Sequence, residues 1–116
     1  MIEKIVLDYL LNLNLDGIGR NVYLEVPKDV PERYIVIEKT GSWRENMIDN
    51  ASFAVQSISA NSLLEAAQTN WDVKQAMQEF AFNSPDIYSC KLDTDYNFTN
   101  PLTHEYRYQA VYNINY

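Results

Sequence analysis

The sequence predicts a single-domain α+β protein in which two helices pack on one face of a mainly antiparallel or mixed β-sheet. The apolar periodicity changes along the chain between helical and strand spacing, in the order helix, three strands, helix, two strands. The connections are short, which favours antiparallel neighbours. With 116 residues, of which 47% are hydrophobic and 22% charged, the chain has the size and composition of one globular domain over residues 1–116.

The first helix is predicted over Ile2–Leu13, and the glycines at 17 and 19 follow its end. Leu7 and Leu11 lie outside its main apolar stripe, one turn apart. Either a second protein chain covers these two leucines, or the helix is pressed deep into its own core. The stripe itself consists of Ile2, Ile5, Val6, Tyr9, Leu10 and Leu13.

Two strands are predicted next, Asn21–Val26 and Arg33–Lys39. The segment between them contains Pro27 and Pro31, and neither proline can donate to a strand ladder. We therefore expect a hairpin. The second strand is apolar on both faces over residues 34–37, which is typical of a central strand.

A loop is predicted over Ser42–Asn50, before a third strand over Ser52–Ser59. The loop is polar but carries Trp43, Met47 and Ile48. Large apolar side chains in a loop often contact another molecule, so this segment is a candidate interface. The alternative is that these side chains fold back over the edge of the sheet.

The second helix is predicted from a capping box, in which the Ser62 hydroxyl accepts from the Glu65 amide and the Glu65 carboxylate reaches back. It is expected to run to about Phe82, where 83–86 end it. Its predicted apolar face consists of Leu63, Leu64, Ala66, Ala67, Trp71, Val73, Met77, Phe80 and Ala81.

The last two strands are predicted over Ile87–Phe98 and Glu105–Tyr116. The connection Thr99–His104 joins them and contains a further apolar residue, Leu102. The last strand alternates regularly, which predicts one apolar face. That face carries Tyr106, Tyr108, Ala110, Tyr112, Ile114 and Tyr116.

The patterns that suggest chemistry are incomplete. Asp93 and Asp95 imitate the start of a calcium-binding loop, but Phe98 and His104 stand where the loop needs Gly and Glu. His104 is the only histidine, and no Cys or His lies at ligand spacing from it. Cys90 alternates with apolar neighbours, as a buried thiol does. We therefore predict no catalytic residue, no metal ion and no cofactor, and expect that the protein is not an enzyme.

The composition limits the partners. A formal charge of −7 with dispersed basic residues disfavours tight binding of nucleic acid. The single cysteine, the missing secretory signal and the lack of a long apolar run predict a protein of a reducing cytoplasm that does not enter membranes. Binding to other protein chains remains as the expected activity.

The order of elements and three segments resemble the tail-terminator or tail-completion proteins of long-tailed bacteriophages and prophages, a group of minor tail and head-tail joining proteins. The segments are Tyr34–Gly41, Ser57–Ser62 and Tyr106–Tyr112. The resemblance covers essentially the whole chain and rests on pattern and length.

The resemblance implies a subunit that forms a ring, commonly a hexamer, on the last ring of the tail tube. Such a ring ends tail polymerisation and joins the tail to the head connector. Its partners would be copies of itself, the tail-tube protein and the connector protein, with DNA only passing through the lumen. It would lie at the head-tail interface of the virion after assembly in the bacterial host cytoplasm. The segments 42–50 and 99–104 occupy the places of the family's contact loops.

Two alternatives remain. One is a head-closure protein or another connector component. The other is a small-ligand-binding or enzymatic α+β domain, with a pocket under the second helix ringed by Trp71, Tyr106, Tyr108 and Tyr112. Taken together, the candidate interface residues are Leu7, Leu11, Trp43, Met47, Ile48 and Leu102.

Overall fold

The helices and strands follow the predicted order in the computed structural model, which describes residues 1–103 and 105–116. The helices are α1 (Ile2–Leu13), α2 (Leu63–Gln78) and a short α3 (Phe80–Asn83). The strands are β1 (Val22–Tyr23), β2 (Arg33–Glu45), β3 (Ile48–Ser59), β4 (Ser89–Asn97) and β5 (Tyr106–Asn115). They form one five-stranded sheet in the order β1-β2-β3-β5-β4. The fold class is thus α+β with a mixed sheet, as predicted.

The first strand corrects the predicted hairpin. β1 contains only two residues and pairs with β2 in parallel, with Val22 opposite Ile35 and Tyr23 opposite Val36. The Ile35 amide also donates to the Asn21 carbonyl over 2.9 Å. The chain therefore returns through 24–32 to the start of β2 instead of turning back beside it. All other strand pairs are antiparallel.

The main core lies between the sheet and both long helices. α1 contributes Val6 and Leu10, and α2 contributes Val73 and Met77, all of which are fully buried. The facing side of the sheet contributes alternate residues of three strands, as the strand period requires. These are Ile35, Ile37, Ala51, Phe53, Val55, Ala110, Tyr112 and Ile114.

The second helix differs from its prediction in both length and orientation. It ends at Gln78, and Phe82 lies beyond it in α3, 91% exposed. Leu64 and Trp71 are also exposed, whereas Thr69 and Asn70 are buried. The predicted apolar face is therefore correct for Ala66, Val73, Met77 and Phe80 but wrong for Leu63, Leu64 and Trp71. The side of α2 that faces the sheet combines the apolar residues Ala66, Val73 and Met77 with Thr69 and Asn70, whose polar contacts are described below.

The predicted capping box is half formed. The Glu65 amide donates to the Ser62 hydroxyl over 3.2 Å, which satisfies one of the free amides of the first turn. The Glu65 carboxylate, however, accepts from the Ser59 hydroxyl at 2.8 Å and from the Asn61 amide at 3.2 Å. Those hydrogen bonds, the Ser59 bond above all, lower the pKa of Glu65. The carboxylate thus joins the end of β3 to the start of α2.

The face of the sheet turned away from the helices carries a smaller apolar cluster. Tyr34, Val36 and Ile58 are buried there, with Tyr23 packed against them. Burial and the hydrogen bond that the Tyr34 hydroxyl donates to Glu105 over 3.0 Å raise the pKa of Tyr34 to about 12. We call this side the open face of the sheet. No helix covers it in the described part of the chain.

Candidate protein-interaction surfaces

The segment predicted as a loop over 42–50 is instead the end of a long hairpin, and that prediction is wrong. β2 and β3 stay paired from Arg33 opposite Ser59 to Glu45 opposite Ile48, with one irregularity between Lys39 and Gly41. β5 accompanies β3 only as far as Asn50. Beyond that point, over residues 44–49, the hairpin is two-stranded, while Ser42 and Trp43 pair with residues of β3 that β5 still accompanies. We call residues 42–49 the hairpin arm.

The arm turns through two residues in left-handed conformations, Asn46 with φ 51° and Met47 with φ 66°. Two consecutive positive φ values are those of a type I′ turn, whose twist matches that of the flanking strands. Asn tolerates this conformation well, while Met rarely adopts it. The Met47 side chain lies at the tip and is 84% exposed. Its placement there is conformationally costly and gains no burial.

Alternation along the arm places its two large apolar side chains together on the open face. Trp43 pairs with Asn50 and Ile48 with Glu45, whereas Ser42 pairs with buried Ala51 on the helix-covered side. Trp43 is 46% exposed and Ile48 43% exposed, and neither belongs to the two apolar clusters. The arm therefore presents an uncovered aromatic and aliphatic surface on a paired hairpin rather than on a loop.

The other side of the arm is polar. Arg44 and Asp49 are directly opposite each other, and their side chains form an exposed ion pair at 3.8 Å. At the base, the Thr40 hydroxyl donates to the carbonyl and the hydroxyl of Ser52. The Tyr116 amide donates to the Asp49 carbonyl over 2.9 Å, which holds β3 beyond the end of β5. The arm is thus amphipathic across its two faces.

Leu7 and Leu11 are both partly buried and pack against the main core. Leu7 also lines an open groove of about 600 Å³ between α1 and the segment after β1. Leu24 and Val26 line the same groove and are exposed. Packing against the protein's own core explains the apolar character of Leu11. Leu7 packs against the core as well but also contributes to a further apolar surface. We call this surface, formed by Leu7, Leu24 and Val26, the α1 groove.

Sequence reasoning missed Leu24 and Val26 as surface residues because it assigned them to a strand. The prolines at 27 and 31 were the available signal, since they mark a segment that cannot continue in a sheet.

The connection between β4 and β5 places Leu102 outside the core, 88% exposed. Asn side chains order this connection. Asn97 Oδ1 accepts from the Thr99 amide over 3.0 Å, and Asn100 Oδ1 accepts from the Leu102 amide over 3.0 Å. His104 lies outside the described residues.

Asp93 and Asp95, which imitate the start of a calcium-binding loop in the sequence, have different surroundings in the structure. Asp95 accepts from Lys74 and from Asn70, each over 2.9 Å, and the Lys74 bond lowers the pKa of Asp95 most. Asp93 lies at an irregularity of β4, between Leu92 and Thr94, and is exposed. Within residues 1–103 and 105–116, no group of three His, Cys, Asp or Glu side chains could hold a metal ion.

The predicted pocket under α2 is present only in part. Trp71 and Tyr112 line a cleft of about 190 Å³ between α2 and β4, together with Met77, Cys90 and Leu92. Tyr106 and Tyr108 are not among the residues that line it. Burial raises the pKa of the Cys90 thiol to about 12, so the thiol stays protonated at neutral pH.

The sequence matches no protein-family model, and comparison with curated proteins likewise gave no match. None of the helices in the described residues has the length and hydrophobicity needed to cross a membrane.

Proposed function

We propose that the protein is a non-enzymatic structural subunit that assembles into a ring, as the tail terminator of a long-tailed bacteriophage or prophage. In this role the ring caps the tail tube, ends its polymerisation and joins the tail to the head connector. The proposal combines the sequence resemblance with the surfaces that the fold leaves uncovered.

The main structural support for the proposal is the exposed apolar surface of the hairpin arm. Trp43 and Ile48 lie side by side on one face of the arm, and Met47 extends from its tip. Apolar side chains clustered on an ordered strand pair are typical of surfaces that another protein covers. The arm has a further property that suits assembly. β1 pairs with β2 only at Ile35 and Val36, so within residues 1–103 and 105–116 the outer edge of β2 has no strand partner from Ile37 onward.

The α1 groove supplies a second uncovered surface at a distance from the arm. β1 pairs with β2 as far as Val36, which lies seven residues before Trp43 along β2. Seven residues of strand span about 23 Å, so this length of strand separates β1, beside the groove, from Trp43 in the arm. A contact between two different surfaces of one chain is heterologous, and repeated heterologous contacts close into a ring when the rotation permits. We propose that the arm of one subunit contacts the α1 groove of the next.

The charge of the chain is compatible with a lumen for DNA. The formal charge of −7 repels phosphates, so DNA could move through an acidic ring without being held. A head-closure or connector subunit would use the same uncovered surfaces with a different partner. The virion location follows from the proposed role and is part of the same proposal.

Light scattering coupled to size exclusion tests the proposal. Samples from micromolar to near-millimolar concentration, alone and with the tail-tube protein of the same genome, should show a ring-sized oligomer, and electron microscopy should show closed rings. A monomer at every concentration, with and without the tail-tube protein, would overturn the proposal. A ring that forms but does not bind the tube would support the connector alternative.

A further inference from the structure

The hairpin arm has one charged side chain that its own residues leave without a partner. Its charged residues are Arg44, Glu45 and Asp49, and the first and last of these pair with each other on the polar side. Glu45 lies directly opposite Ile48, so it shares the face that carries Ile48 and Trp43. It is exposed and belongs to none of the ion pairs among the described residues. The apolar face of the arm therefore carries a single carboxylate.

The α1 groove contains an opposite charge. Two charged residues, Glu25 and Lys28, line it together with Leu24 and Val26, and both are exposed. Six of the nine Lys and Arg side chains form ion pairs within residues 1–103 and 105–116, but Lys28 is not among the six. Glu25 likewise forms no ion pair with a described residue. The groove thus presents an ammonium group beside its apolar surface.

The charges that line the groove favour one orientation of an arm that lies in it. Contact between the apolar face of the arm and the apolar residues of the groove brings Glu45 into the groove, because Glu45 lies on that face. Beside Lys28 the carboxylate gains an opposite charge, whereas beside Glu25 it meets a like charge. Like charges brought together at an interface disfavour that arrangement. The reversed orientation of the arm is therefore selected against.

We propose that the arm lies in the α1 groove of the next subunit with Glu45 against Lys28, and that this ion pair fixes the orientation of the contact. The inference rests on the proposed ring, in which an arm meets a neighbouring groove. It adds the determinant of specificity, since the apolar side chains give affinity and the charge pair selects one arrangement. The partner is a second copy of this chain, which carries both charges.

Exchange of the two charges tests the pair. Glu45→Lys and Lys28→Glu should each weaken assembly about fivefold, because each variant places two like charges together. The double variant, Glu45→Lys with Lys28→Glu, should assemble as the unaltered protein does, since it restores opposite charges. Light scattering over a concentration series measures all four proteins. The loss in the single variants should shrink at high salt, which screens the repulsion.

Lys91 provides the matched control. It is exposed on β4, belongs to no ion pair among the described residues and lies outside the arm and the groove. Glu45→Lys combined with Lys91→Glu has the same net charge as the exchanged pair but leaves two like charges at the contact. Its assembly should therefore stay about fivefold weaker. Recovery in this variant would mean that net charge governs assembly, and the pair would be overturned.

A carbodiimide tests the pair in the unaltered protein, because it joins a carboxylate to an amine that touches it. Rings assembled from a mixture of isotope-labelled and unlabelled chains should yield a link between Glu45 of one chain and Lys28 of another. Mass spectrometry of the digested rings identifies the linked peptides and shows whether they come from different chains. A link from Glu45 to a different lysine overturns the pair.

The outcomes separate this inference from the proposed function. Closed rings in which the single reversals have no effect, or in which the exchanged pair does not restore assembly, overturn the ion pair and leave the ring standing. A monomer at every concentration overturns the ring and the ion pair together.

Discussion

Lys74 of α2 and Asp95 of β4 form an ion pair with their N and O atoms 2.9 Å apart, and Asn70 donates to the same carboxylate oxygen. β4 is an edge strand, hydrogen-bonded to β5 alone in the described sheet. The ion pair therefore links the edge strand β4 to α2, which packs on the sheet. It also explains why Asn70, a polar residue, is buried on α2.

Replacement of Asp95 by Asn should lower the free energy of unfolding by about 1–2 kcal/mol at pH 7, since both side chains of the pair are mainly buried and the bond to Lys74 is charge-assisted. The pKa of Asp95 is lowered in the folded state from its ordinary 3.8. The Asp95 carboxylate therefore contributes its full share to the free energy of unfolding above about pH 4, where it is ionised in both states. This contribution disappears as the pH falls through the lower pKa that Asp95 has in the folded protein.

Urea denaturation of both proteins between pH 2.5 and 7 measures the effect. The difference between them should be constant in the neutral range and shrink in acid. Asp93→Asn, which changes an exposed carboxylate on the same strand, is the control and should change stability by less than about 0.5 kcal/mol. A difference that grows as the pH falls would contradict the assignment.

Gly17→Ala should destabilise the protein by about 2 kcal/mol, since it combines backbone strain with a clash. Gly17 has φ +75°, and a methyl group there would overlap the guanidinium group of Arg33. That group donates to the Thr69 hydroxyl over 2.9 Å, which accounts for the burial of Thr69. Gly41→Ala is the matched control, because nothing lies within 4 Å of the added methyl group. Thermal unfolding that ranks the two variants equally would refute this explanation.

The double variant Trp43→Ser with Ile48→Ser should weaken ring assembly at least tenfold, while the free energy of unfolding falls by only about 1 kcal/mol, because both side chains are nearly half exposed. Light scattering gives the first quantity and denaturation the second. Val30→Ser removes a similarly exposed apolar side chain outside the two proposed surfaces and should leave assembly unchanged. Loss of folding in the double variant would instead assign Trp43 and Ile48 to the core.

Met47→Gly should have opposite effects on stability and on assembly, because it removes both the backbone strain at residue 47 and the exposed apolar side chain. Glycine adopts the left-handed conformation of residue 47 without strain, so the protein should gain about 1 kcal/mol of stability. The exposed side chain is lost at the same time, so assembly should weaken. Met47→Leu keeps both the strain and the apolar surface and should alter neither quantity. A variant Met47→Gly that assembles normally would remove the tip from the interface.

Much of the fold could be predicted because local pattern and tertiary contacts agree there. The helical spacing of Ile2, Val6 and Leu10 predicts the buried side of α1, and all three are buried. The alternation of Ala110, Tyr112 and Ile114 likewise predicts the core face of β5. The Ser62 cap is equally local, because it needs only the amide three residues later.

The candidate surfaces were only partly predictable. Trp43, Met47 and Ile48 stood out as large apolar residues in a polar segment. Each strand of the arm, however, carries only one apolar residue on the open face, Trp43 in β2 and Ile48 in β3, so no repeated alternation revealed the segment as a strand. The α1 groove was not predicted beyond Leu7, because it forms only when the segment after β1 lies beside α1.

The sequence by itself determined the α+β class, the order of the elements and the core side of α1 and β5, since those depend on periodicity within one segment. The tertiary structure alone decided the parallel pairing of β1, the length of the hairpin and the rotation of α2. The pairing of β1 and the rotation of α2 depend on distant partners, whereas the hairpin arm pairs residues close in the chain, such as Arg44 and Asp49. Ile35 fixes β1, and Arg33 and Asp95 hold Thr69 and Asn70 inward. Such pairings are energetically specific, but residues far apart in the chain make them, so no local pattern records them.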